Sequence, residues 1–339
     1  MLNSDQQRII ERILKDVQLG TKTNRKPLVL YVCGQAGTGK SHMIRHLVEH
    51  VGENVLVCAP TAHAARHING KTVHAAFLLD PKSEKDDKGM DSISNLQLLI
   101  IDEISMVDAT LLQRIERRMR QIMQNDNVAF GGCTVVFFGD LLQIPPVARF
   151  KNTNTPNWIF KSPIWKNLVE YDELEQIMRQ EGDPEFGRML QRWRVGVVTD
   201  EDRKFLDGKV REHSDCGYVD TVGYFCKRFD GSKQQMILAY KNKTNLGLNR
   251  AVTFRLFNPN DLFDVHKYTR TWLLTDYTST VKSCFEFKIG VGSRVMVKQN
   301  VKIELSEEES IKLANGEMAT VEDVEVVSGK VETFQWDRR

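Results

Sequence analysis

Gly34-Gln35-Ala36-Gly37-Thr38-Gly39-Lys40-Ser41 is the stretch on which the reading of this chain turns. It fits the spacing G-x-x-x-x-G-K-[ST], follows an apolar run at residues 28–33 and opens a helical pattern at 41–50. Glycines there let backbone N–H groups turn inward around phosphate oxygens, and the helix N-terminus adds positive potential. Lys40 is placed to reach the β and γ phosphates of ATP, and the Ser41 hydroxyl to ligate Mg²⁺. Gly34, Gly37, Thr38, Gly39, Lys40 and Ser41 are therefore the candidate nucleotide-binding residues.

Working outward, the apolar run 96–101 ends in Asp102 and Glu103. A buried strand ending in two acids sets the first at the sheet's carboxyl edge, where the metal sits in such folds. Asp102 is the candidate metal ligand. Glu103 is the candidate base, orienting and deprotonating the attacking water. A further run, 134–138, leads into Gly139-Asp140-Leu141-Leu142-Gln143-Ile144-Pro145-Pro146. The Gln143 amide is suited to sensing the γ-phosphate without competing as a base.

Four continuous apolar runs (28–33, 55–59, 96–101, 134–138) separated by helical patterns predict a parallel sheet in an α/β domain. The spacing predicts a helix over 107–123, with Leu111, Leu112, Ile115, Met119 and Ile122 on one stripe. Arg114, Arg117, Arg118 and Arg120 then fall on a solvated face, and Ser105-x-x-Asp108 reads as the helix cap. Residues 80–91 and 150–158 read as exposed loops. Trp158, Trp165 and Trp193 read as packing residues rather than base-stacking platforms. Beyond residue 180 the pattern predicts helices at 186–193 and 246–252 and a strand at 236–240. From residue 285 the texture turns to β, with runs at 285–289, 294–298 and 319–327.

The chain has 339 residues, 41% hydrophobic and 27% charged, with a net charge of only +2. No global basic field announces nucleic acid, so a DNA site must be a local groove. No run of 18 apolar residues appears, which argues against a membrane partner. The six cysteines are scattered without CxxC pairs. They read as small buried hydrophobes of a reducing compartment, nucleus or cytoplasm, and indicate neither zinc nor a disulfide framework.

The order of the motifs closely resembles the Pif-type DNA helicases, of the RecD-like branch of superfamily 1. The strings are the glycine loop, Ala59-Pro60-Thr61-Ala62-His63-Ala64-Ala65, Thr72-Val73-His74, Asp102-Glu103-Ile104-Ser105-Met106 and Gly139-Asp140-x-x-Gln143-x-Pro145-Pro146. The resemblance implies two RecA-like domains, 1–175 and 176–284, with a small Src-homology-like β-barrel at 285–339 inserted in the second. It implies that Gln6 reads adenine, that Arg179 points at the γ-phosphate, and that Thr61 and His74 contact DNA. Two readings of the last pair stand side by side, because Thr61 is also a helix cap and His74 an ordinary polar residue. The implied activity is ATP-driven 5′ to 3′ movement on single-stranded DNA, unwinding duplexes and junctions in replication, repair or recombination.

The family's final motif, resembling Ile-His-Lys-Ser-Gln-Gly, is not found in these residues. The expectation is an incomplete second domain, weak hydrolysis, and a need for another polypeptide to complete it. The alternative is a remnant that binds nucleotide or single-stranded DNA without processive unwinding.

Overall fold

The computed structural model describes residues 2–20, 26–79, 96–146, 155–176, 183–210, 218–231, 235–264, 288–296, 301–304, 310–313, 318–327 and 330–337. The chain divides into two compact units, Met1–Lys204 and Phe205–Arg339.

The first unit runs α1 (Ser4–Gln18), β1 (Val29–Gly34), α2 (Lys40–Val51), β2 (Val55–Ala59), α3 (Ala62–His67), β3 (Lys71–Thr72) and α4 (Val73–Ala76). It continues β4 (Leu98–Ile101), α5 (Ala109–Met123), β5 (Thr134–Gly139), α6 (Pro163–Leu168), β6 (Glu170–Leu174) and α7 (Pro184–Arg194); α8 (Asp200–Asp207) begins in it. Six strands form one sheet in the order β3-β2-β4-β5-β1-β6, every pair parallel. This is the mixed α/β architecture that the apolar runs predict.

Side chains alternate along β1, and each face builds its own core. Val29, Tyr31 and Cys33 join Leu111, Leu112, Ile115, Met119 and Ile122 of α5. Leu30 and Val32 join Ile9, Ile10 and Ile13 of α1 with Met43, Ile44 and Leu47 of α2. Burial on both faces is why these strands read as continuous apolar runs. α1 begins with a capping box between Asn3 and Gln6. Its Arg8 grips Asp172 of β6 with two bonds of 2.9 and 2.8 Å, and Arg12 pairs with Glu170.

Several expectations need correction. The cap of α5 is Asp108, whose carboxylate accepts from Leu111 N at 2.7 Å. Ser105 sits instead in a buried short turn before it, its hydroxyl without a partner among the described residues. Arg114 and Arg118 are buried, not solvated; Arg117 alone of the four is fully on the surface. α5 is enclosed around more of its circumference than the apolar stripe suggests. Its charges therefore take local partners: Arg118 donates to Gln121, and Glu116 accepts from Arg120 and from Phe130 N. Two strands carry no apolar signal at all. β3 has two residues, and β6 is the polar edge strand Glu170-Tyr171-Asp172-Glu173-Leu174.

Trp165 packs as expected, stacked on Phe137 at 5.7 Å. Trp158 stacks on the half-exposed Phe160, and Trp193 donates to Asp202 at 3.1 Å. Of the loop expected at 80–91, and of 150–154, nothing lies within the described residues.

The second unit contains α9 (Tyr218–Arg228) and α10 (Asn242–Leu256), which covers the helix expected at 246–252. The strand expected at 236–240 is not formed; Leu238 and Tyr240 are 84% and 100% exposed, with no partner strand among the described residues. A short apolar run makes a strand only where a neighbour completes the ladder. The β texture is real: β7 (Phe263–Asp264), β8 (Lys288–Ile289), β9 (Arg294–Met296), β10 (Val301–Glu304), β11 (Ser310–Leu313), β12 (Met318–Val327) and β13 (Lys330–Asp337). All their pairings are antiparallel, in the groups β7-β8, β10-β11 and β13-β12-β9. Residues 285–287 and 297–300 lie outside the described residues.

Candidate nucleotide site and its neighbours

The glycine loop connects the C-terminus of β1 to the N-terminus of α2. Gly37 and Gly39 have φ of +91° and +88°, so the chain turns through the left-handed region twice. At Gly39 a side chain is excluded twice over, because its Cβ would stand 2.4 Å from Gln6 Nε2. Thr38 is fully buried, and its hydroxyl donates to Gln35 O at 2.9 Å.

The Lys40 ammonium donates to Gly34 O at 2.6 Å and Gln35 O at 2.9 Å. Burial holds its pKa below the ordinary lysine range, and the fields of Asp102, Glu103 and Asp140 oppose that shift. Three carboxylates thus converge electrostatically on one ammonium. The convergence follows from topology, since β1, β4 and β5 are parallel and end at one edge.

Asp102 lies just beyond β4, buried, with Oδ1 accepting from Glu103 N at 2.9 Å. Burial pushes its pKa up to about 6, helped by the neighbouring Glu103 charge and opposed by Lys40. A buried carboxylate with that desolvation cost has an electrostatic demand for a cation. Glu103 takes φ +51° and ψ +46°, a left-handed conformation that costs a residue with a side chain about 1–3 kcal/mol. Such strain survives only where the surroundings impose it. Among the described residues no group of three His, Cys, Asp or Glu side chains is arranged to hold a metal. Magnesium does not require one, because it binds to one or two protein oxygens plus phosphates and water. Asp102 and the exposed Ser41 hydroxyl fit that need.

Gln143 is exposed in the loop after β5, its N–H held by Asp140 O at 3.0 Å. Gln6 is 3% exposed; its Oε1 accepts from Asn3 N and its Nε2 donates to Thr38 O at 2.9 Å. The structure therefore sets Gln6 directly against the glycine loop. Thr61 caps α3, its hydroxyl accepting from Ala64 N at 3.2 Å, and His74 is half-buried in α4. Both stand at the same carboxyl edge as the loop, with β4 and β5 between β2 and β1. Arg179 lies outside the described residues.

Sequence reasoning passed over Asp140 and Arg194 as site residues. Asp140 is 2% exposed and accepts both Arg194 Nε and Nη2, at 2.7 and 2.9 Å. The signal was present as an acid directly after a buried strand, but the partner lies 54 residues away.

A six-stranded parallel sheet with a glycine loop after β1 and acids after β4 defines a P-loop NTPase. The chain belongs to the PIF1-like helicase family, whose model matches residues 1–204. It is 36% identical over 193 residues to the ATP-dependent DNA helicase PIF1 of Saccharomyces cerevisiae strain YJM789, covering 52% of this chain and 22% of that protein. The zebrafish (Danio rerio) protein of the same name is 28% identical over 305 residues, covering 87% of this chain and 44% of that protein. The chain thus spans less than half the length of these relatives. Among solved structures, the Bacteroides Pif1 helicase in complex with ADP-AlF3 and single-stranded DNA superposes with a TM-score of 0.64 at 26% identity. That match covers 96% of this chain and 70% of the Bacteroides one. No described helix is long and apolar enough to cross a membrane.

Proposed function

We propose that this chain binds ATP and Mg²⁺ at the glycine loop and hydrolyses ATP to move 5′ to 3′ along single-stranded DNA, as a helicase motor. The observation that carries the reading is that the parallel order of β1, β4 and β5 brings the glycine loop with Lys40, the acids Asp102 and Glu103, and Asp140 to one edge of the sheet. Membership of the PIF1-like family supports the DNA part, as does the likeness to a Pif1 helicase in complex with single-stranded DNA. A further Pif1 structure is described as unwinding at forked duplex DNA, which supports junctions as substrates.

In this reading the loop amides and Lys40 bind the triphosphate, and Lys40 exchanges its two carbonyl partners for phosphate oxygens. Ser41 and Asp102 would hold Mg²⁺, which when bound neutralises charge on the phosphate oxygens. Glu103 takes the proton of the attacking water. Gln143 and Arg179 respond to the γ-phosphate, and Gln6 sits where it positions the loop while its remaining N–H serves the base. Thr61 and His74 contribute to the DNA track. The domain division proposed is 1–175 and 176–284 as the RecA-like halves with the β-barrel at 285–339, completed by a further polypeptide segment. The free thiols of Cys33, Cys58, Cys133 and Cys226 suit a reducing nuclear or cytoplasmic setting.

The test is phosphate release by the purified chain with and without single-stranded DNA, beside Lys40→Ala. Turnover that rises with DNA and vanishes in the variant supports the motor. Nucleotide or DNA binding without turnover supports the remnant. Turnover indifferent to DNA would defeat both.

A further inference from the structure

β5 ends in Gly139, and a Cβ there would stand 2.9 Å from Ile104 N, so this strand end lies hard against the Glu103–Ile104 link. The next residue, Asp140, organises everything that follows. Its Oδ1 accepts from Leu142 N at 3.1 Å and its carbonyl accepts from Gln143 N at 3.0 Å. Leu141 N donates to Tyr31 OH of β1 at 3.3 Å. The turn that presents Gln143 is therefore built on the Asp140 carboxylate.

That carboxylate is in turn clamped from outside the sheet. Arg194, the last residue of α7, meets it with both Nε and Nη2, and the same Nη2 lies 3.6 Å from Cys33 Sγ, one residue before Gly34. A two-point guanidinium–carboxylate contact fixes orientation as well as distance. The far side of Arg194 is anchored too. Arg192 and Trp193 both bind Asp202 of α8, and Val197 N closes on Arg192 O at 2.9 Å. The guanidinium is thus a rigid bolt between the end of α7 and the turn carrying Gln143.

We infer that Arg194 is a positioning residue for γ-phosphate recognition: through Asp140 it holds the 140–143 turn, so that Gln143 distinguishes a triphosphate from a diphosphate. The inference rests on the nucleotide reading above and adds to it a residue that the reading leaves without a role. The link runs both ways. A γ-phosphate that draws Gln143 inward pulls on Asp140, and the pull reaches α7 through Arg194 without any contact between α7 and nucleotide.

The experiment has two arms on the full chain. In the first, without nucleotide, hydrogen exchange at the Leu142 and Gln143 amides is followed in wild type, Arg194→Ala and Arg194→Lys. Arg194→Ala accelerates exchange by about tenfold, and Arg194→Lys, with one contact instead of two, falls between. Unchanged exchange in Arg194→Ala would overturn the inference. In the second arm, dissociation constants for ADP and for a non-hydrolysable ATP analogue are measured. Arg194→Ala weakens the analogue about tenfold and leaves ADP within twofold, because a displaced recognition group costs only the interaction it makes.

Since Arg194→Ala strands a buried carboxylate, a double variant, Asp140→Asn with Arg194→Met, keeps the turn's acceptor without the charge. It folds with wild-type exchange elsewhere and still loses the analogue's advantage over ADP. Equal weakening of both ligands in both variants means a merely structural role and refutes the proposal. If the wild-type chain binds neither ligand, the nucleotide reading fails and takes this inference with it. The exchange arm shows separately whether the bolt exists.

Discussion

The two units of this molecule are made from different kinds of strand, and the contrast explains where each can carry chemistry. In the first unit, β1, β4 and β5 are buried on both faces and parallel, so their C-termini meet at one edge. A parallel sheet converts three distant sequence positions, the glycine loop, Asp102 and Asp140, into neighbours. In the second unit the strands are antiparallel, several only two to four residues long, and successive ends point in opposite directions. Antiparallel pairs give a surface, not a shared edge. The candidate nucleotide-site residues within the described part of the chain accordingly belong to the first unit.

The contrast is broken or sharpened by substitutions in each half. The largest effect is expected for Phe137→Ala, on β5 and fully buried between Trp165 and Phe130. Denaturant unfolding should show a loss of about 3–5 kcal/mol. The matching change in the second unit, Leu248→Ala on α10, should cost about 2 kcal/mol, the low end for a leucine, because its neighbours along the helix are only half-buried or exposed. Equal losses would show that the two units are packed alike.

Next comes Lys40→Ala. Phosphate release should fall about 100–1000-fold, as for removal of other preorganised charge-stabilising donors, with the fold intact by circular dichroism. A variant that turned over within about tenfold of wild type would place the chemistry elsewhere. Gly39→Ala follows, since its φ of +88° and the 2.4 Å approach to Gln6 Nε2 forbid a side chain without movement. ATP affinity measured by titration should drop by about tenfold, from roughly 1–2 kcal/mol of backbone strain. Pairing it with Gln6→Ala should recover part of the loss, because the clash is then relieved while the dihedral strain remains.

The smallest effect concerns pH. The Arg192 bonds hold Asp202 down to about 2, well under the ordinary aspartate value. A group depressed in the folded state contributes stability above its unfolded value and loses it as pH falls toward its folded one. Between about pH 4 and pH 2, wild type should therefore lose a little more stability than Asp202→Asn, seen as converging melting temperatures.

What was legible follows the same division. The strands at the heart of the first unit announced themselves because burial on both faces makes them almost wholly apolar. The edge strand β6 did not, because Tyr171 and Glu170 face water and its charges exist to meet Arg8 and Arg12 of α1. α5 was legible as a helix, but not the burial of Arg114 and Arg118, which depends on what packs around it. The apolar run at 236–240 resembled a strand, yet pairing is not a property of one segment.

Sequence by itself determined the glycine loop, the acids at the end of β4, and the α/β class, since each is local chemistry repeated at fixed spacing. Tertiary structure alone decided that Gln6 braces Thr38 and that Arg194 clamps Asp140 from 54 residues away. Contacts between residues so far apart along the chain are set by how helices and sheet close on one another. No window of sequence contains that information.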